Sequence, residues 1–224
     1  RRAARTTQCL ANIRSLAIAQ QTYAVSHNGA LVNYGLSHGG AGANPAVSWL
    51  RTLQSHYDSP LAARSPVDDS PHWAPDAPGG GGAGVPVPGG PAGRYRLTSY
   101  GINDFVTPNV ILTGRVPPAP YAYDRLDRIP APHATVQFLL MAFEGTYAGS
   151  DHVHPVGWWH ARARPNDPPV LASAQSQIHA HGGAPATWES RSNYAYLDGH
   201  AATEPFRNVF TDGWKNAFDP ASAH

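Results

Sequence analysis

Asp151-His152-Val153-His154-Pro155, followed by Trp158, Trp159 and His160, gathers the densest set of metal-competent side chains in the 224-residue sequence. Two histidines at i, i+2 on an extended segment face the same side, and His160 offers a third nitrogen for a zinc site. No carboxylate or cysteine cluster matches them in the sequence, and Pro155 with two tryptophans suits a packed loop equally well. The packed loop is the reading adopted, with no metal ligand and no cofactor assigned. His179 and His181 repeat the spacing within HAHGG on weaker grounds.

Other chemistry is thinner. Asp198-Gly199 resembles part of a calcium loop, but one carboxylate is not a calcium site, and a tight turn with Gly199 at positive φ needs no ion. Ser, His and Asp are plentiful, yet no G-x-S-x-G elbow, HExxH or phosphate loop occurs. Glu144 follows an apolar run without a nameable partner. Cys9 lies in an amphipathic stretch with no histidine nearby, which suits a small buried hydrophobe better than a nucleophile. The expectation is a protein that is not an enzyme.

The elements that position these residues begin with a helix. Leu10, Ile13, Leu16, Ala17, Gln20 and Tyr23 recur at helical spacing, and Asn28-Gly29 supplies a stop, which predicts a helix of about 20 residues, roughly 30 Å. Asn44-Pro45 precedes a second short helix, Ala46 to His56, with Trp49, Leu50 and Leu53 on its apolar side. Residues 59–93 are rich in Pro and Gly and read as a long surface loop within the domain. Strands are expected at Arg94 to Tyr100, Phe105 to Leu112 and Ala134 to Phe143, and residues 144–185 as a second long loop. Asn193 to Leu197 and His200 to Pro205 flank the Asp198-Gly199 turn as a hairpin. A long helix followed by antiparallel strands gives an α+β fold.

Composition narrows the class further. Charged residues are only 14% and the formal net charge is +1, so no basic stripe points to nucleic acid. A single cysteine excludes an internal disulfide framework and any multi-cysteine metal site. No apolar run of about 18 residues occurs. Arg1, Arg2 and Arg5 read as the polar edge behind a removed or missing segment.

The segments in order carry a family likeness. Ala4-Arg5-Thr6-Thr7-Gln8-Cys9-Leu10-Ala11-Asn12-Ile13-Arg14 with Tyr23, then Trp49-Leu50 and Leu53, Ser65-Pro66-Val67-Asp68, Ser99-Tyr100-Gly101-Ile102-Asn103, and Asn193-Tyr194-Ala195-Tyr196-Leu197-Asp198-Gly199-His200 span most of the chain. Together they resemble the type IV pilin-like proteins, in particular the planctomycete-type pseudopilin group with a prepilin methylation segment and a C-terminal H-x9-DG motif. Two positions depart from that pattern. Ser65 replaces the family's second cysteine, so the disulfide the resemblance implies with Cys9 cannot form. Trp188 stands ten residues before Asp198, where the motif has its histidine.

The resemblance implies a pilin-like fold, with residues 1–28 as the lower part of the pilin-type helix and residues 29–224 as the globular domain. It implies an apolar helix of about 20 to 25 residues ahead of Arg1 that anchors the protein in a membrane, and an extracytoplasmic location. Cys9, Leu10, Ile13, Leu16, Ala17 and Tyr23 then belong to the assembly helix, and Asn193, Asp198, Gly199 and His200 to the motif turn. Partners are proteins, either further copies, as in a filament or type II secretion pseudopilus, or a membrane complex that the domain stabilises through its long loops. Trp158, Trp159 and Trp188 are the candidate contact aromatics for such loops.

Overall fold

The computed structural model describes residues 2–38, 44–57, 59, 63–89, 93–108, 123–160, 162 and 164–224. Helix α1 runs Arg2–Ser26, and the chain leaves it through Asn28 (φ 53°) and Gly29 (φ 81°), with the Gly29 N–H donating to the Ala24 carbonyl at 2.8 Å. This is the glycine-assisted stop that the sequence carries. Among the described residues, no helix is long and apolar enough to cross a membrane.

The sheet has five strands: β1 (Tyr100–Asn103), β2 (Val136–Leu140), β3 (His152–Val153), β4 (Arg191–Tyr196) and β5 (Ala201–Pro205), in the order β3-β1-β2-β4-β5. It is mixed and not purely antiparallel, because β3 pairs parallel to β1. Strand β2 is buried throughout, since both sheet faces are covered. On one face, Cys9, Ile13, Leu16 and Ala17 of α1 pack with Trp49, Leu53, Tyr100, Phe138, Leu140 and Ala195. On the other, Val136, Leu139 and Tyr194 pack with Trp158, Phe206, Phe210 and Phe218. A bulge between Val136 and Phe138 re-aims Gln137 toward α1, where its amide donates to Gln20 Oε1 at 3.0 Å. Gln20 also accepts from the Val32 N–H at 3.0 Å, which satisfies a polar group on an otherwise apolar helix face.

Four sequence expectations change here. The second helix breaks at Ser48 into a 3-10 turn, Pro45–Val47, and a short α2, Trp49–Thr52, each opened by its own cap: Asn44 and then Ser48. Two caps four residues apart favour two turns over one continuous helix. Arg94 to Ser99 does not lie in a strand; Arg96 is drawn inward by an ion pair, and pairing starts at Tyr100. Asn103 caps a 3-10 turn at Asp104–Val106, so that part of the expected strand at Phe105 to Leu112 is absent, and residues 109–112 lie outside the described residues. Residues 144–185 are more than loop, since they contain β3, a 3-10 turn at Pro155–Trp158 and helix α3 (Asp167–Ser173).

After β5 the chain forms α4 (Phe206–Val209), β6 (Phe210–Asp212) and β7 (Lys215–Asn216). The hairpin β4–β5 stands as read, with Gly199 at φ 93°.

Candidate functional site

Asp151 organises the edge of the sheet. Its carboxylate is fully buried and accepts from the Gly35 N–H at 2.9 Å, the Leu36 N–H at 3.0 Å, the Ser48 hydroxyl at 2.5 Å and His152 Nδ1 at 3.1 Å. Its carbonyl accepts from Trp49 Nε1 at 3.0 Å. A buried carboxylate with four donors is a satisfied anion, and here it clamps the segment after α1 onto β3. Gly35 also lets the backbone of Asn44 and Ser48 approach closely, because a Cβ there would meet the Asn44 carbonyl oxygen at 2.3 Å.

The clamp brings His38 to the two histidines of β3 and its exit. One ring nitrogen from each of His38, His152 and His154 lies within 4.8 Å of the others, and His38 Nε2 stands 2.9 Å from His154 Nε2. Carboxylates engage one nitrogen of each of two rings. His154 Nδ1 meets Asp104, and His152 Nδ1 meets Asp151. Tyr34 stacks on His152 with ring centroids 3.8 Å apart, and Tyr147 stacks on His38 at 4.3 Å. Burial, and after it the two neighbouring imidazoles, lowers the His38 pKa to about 4, so its ring is neutral and able to offer a lone pair. Asp104 Oδ1 is buried and accepts no hydrogen bond among the described residues.

The sequence pointed to His152 and His154 but paired them with His160, which is exposed and turns its Nδ1 to the Arg162 N–H. His38 and Asp104 were missed. Neither carries a local signal, since they meet His154 across 116 and 50 residues.

The helix residues sit as a second assembly. Cys9, Ile13, Leu16 and Ala17 are buried against the sheet, while Leu10 and Tyr23 are partly buried at its margin. Cys9 is free and buried; its thiol is pushed up by burial, although side-chain hydrogen bonds with Ser65, Tyr100 and Asn193 pull the other way. Asn193 donates to the Thr6 carbonyl at 3.3 Å and accepts from the Thr203 hydroxyl at 2.6 Å. The turn after β4 also meets α1: the Gln21 amide donates to the Leu197 carbonyl, and Gly199 faces Gln21 and Ile18. Burial pushes the Asp198 carboxyl up, but the His200 N–H at 3.1 Å and the His200 ring at 2.6 Å outweigh it and hold the carboxyl low. His200 stacks on Tyr196. These contacts make Asp198 a turn residue.

Trp158 is not a contact aromatic. It is fully buried among Phe206, Phe210 and Phe218, because the 3-10 turn it ends points it into the core. Trp188 is partly buried, stacks on Phe206 and donates to the Pro165 carbonyl at 2.9 Å. Trp159 is partly buried and meets Trp214 edge-to-face; Trp214, which sequence reading passed over, is 67% exposed. Comparison with known proteins returned no matching family model, no matching curated protein and no matching solved structure.

Proposed function

We propose that this chain is a non-enzymatic structural subunit of an extracytoplasmic assembly, of pseudopilin or pilin-like type, held to a membrane by an apolar segment continuous with α1. The observation that carries the reading is the junction of the two most specific motif segments. Asn193, which opens the terminal motif, hydrogen-bonds to Thr6 of the helix segment, and the Asp198-Gly199 turn closes against Ile18 and Gln21. Motif residues nearly 190 positions apart thus form one helix–hairpin unit. Ser65, at the position of the family's second cysteine, also lies within hydrogen-bonding reach of the Cys9 thiol.

The outer stripe of α1 suits contacts between copies. Ala11, Ser15, Ile18, Thr22 and Val25 follow one another at helical spacing and are exposed and uncharged, and Val25 is 86% exposed. Cysteines placed at Ser15 and Thr22 test this directly. Oxidation of native membranes yields covalent dimers if copies pack through α1, and only monomers if they do not.

An accessory role on a membrane complex is the second reading, favoured by the aromatic corner of Trp159 and exposed Trp214. Trp214→Ala releases the protein from its complex on that reading and leaves an α1-mediated assembly intact.

A further inference from the structure

We infer that His38, His152 and His154 form a binding site for a divalent transition ion of the zinc class. This inference is independent of the assembly role. Zinc bound by imidazole at 2.0–2.1 Å in tetrahedral geometry separates its ligand nitrogens by about 3.3 Å. The His38–His154 nitrogens stand at 2.9 Å, and all three lie within 4.8 Å of one another, so small ring movements reach that geometry.

The surroundings are built for an ion. Metal-ligating histidines typically turn their second ring nitrogen to a carboxylate, which fixes the tautomer and raises ligand basicity. His154 does so with Asp104, and His152 with Asp151. These bonds assign Nε2 of both rings to the ligand role. Without an ion, the two Nε2 atoms 2.9 Å apart share one proton, in a place where a metal ion could be held by both lone pairs. Asp104 and Asp151 bring two negative charges to the region, and Arg94, which interacts electrostatically with Asp151, brings one positive charge. Asp104 Oδ1 remains buried without a hydrogen bond among the described residues. A dication offsets the charge that remains.

All three ligands are imidazoles, a set that suits zinc, copper, nickel or iron and not calcium or magnesium. Three protein ligands leave a fourth position for water or a small anion. The ion would also tie the segment that carries His38 to β3, an edge strand of the sheet.

The test uses the full chain, stripped with chelator and titrated with Zn²⁺ by calorimetry and with Co²⁺ by visible absorption. One equivalent of each is expected, with the intense d–d bands of a four-coordinate cobalt ion. His38→Ala is expected to weaken Zn²⁺ binding at least 100-fold, Asp104→Asn by about 10–100-fold, and His160→Ala not at all. The cobalt spectrum of the unaltered protein reports the geometry even if a variant misfolds. No bound ion, a six-coordinate spectrum, binding unchanged in His38→Ala, or binding lost in His160→Ala would each overturn the site.

Discussion

Asp68 and Arg96 form an ion pair with both side chains fully buried, Nε to Oδ2 at 2.8 Å. Arg96 also donates to the carbonyls of Ala142 and Ala148, and Asp68 accepts from the Ser99 hydroxyl and the Ser70 N–H. The pair thus fastens the segment after Ser65 to the end of β2 and to the loop that leads to β3. Removing one partner strands the other charge in a low-dielectric interior. Arg96→Met and Asp68→Asn are each expected to cost about 3–5 kcal/mol, read as a lower denaturant midpoint with unchanged slope.

Ser65→Cys is expected to form a disulfide with Cys9. The Ser65 side chain already meets the Cys9 thiol, and a loop of roughly 55 residues corresponds to about 4 kcal/mol in the chain-entropy model. The check is a melting temperature that rises under oxidising conditions and returns to the parent value with reductant. A variant whose two thiols both stay titratable after oxidation shows that the side chains are misaligned.

Gly199 holds φ 93° at the hairpin tip, and a Cβ would have ordinary contact distances to Gln21 and Ile18. The cost of Gly199→Ala is therefore confined to the backbone, about 1–2 kcal/mol. Asn tolerates left-handed conformations, so Gly199→Asn is expected to lose less. Equal losses in the two variants point to steric conflict with α1 instead.

Alkali is expected to destabilise the fold before it ionises the core tyrosines. Burial, followed by the charges of Glu204 and Asp198, pushes Tyr196 up to about 12. Burial likewise raises Tyr100, Tyr194 and the Cys9 thiol. Between pH 10 and 12 the unfolded chain has lost the Tyr196 proton while the folded chain keeps it, so stability falls as pH rises through that window and is fully present below it. Equilibrium unfolding at stepped pH checks this, with phenolate absorbance as the second readout. Stability that is flat from pH 9 to 12 contradicts it.

Much of the fold was legible where one local rule governed the element. The α1 spacing, its Asn28-Gly29 stop and the Asp198-Gly199 hairpin each rest on residues adjacent in sequence. Residues 94–99 misled because their alternation resembles a strand, whereas the buried Asp68–Arg96 pair decides their path. Trp158 reads from sequence as a candidate contact aromatic because it lies in an expected loop, yet a 3-10 turn delivers it to the core. The histidine cluster was half legible: the i, i+2 spacing exposed His152 and His154, while His38 arrives only through the Asp151 clamp on Gly35 and Leu36.

The most direct test of the assembly role is intact mass with N-terminal sequencing of the native protein from a membrane fraction. A mass above 23.9 kDa by an apolar helix of about 20 residues, beginning with an N-methylated residue, is the predicted result. A native chain that begins near Arg1 and stays in the soluble fraction would contradict it.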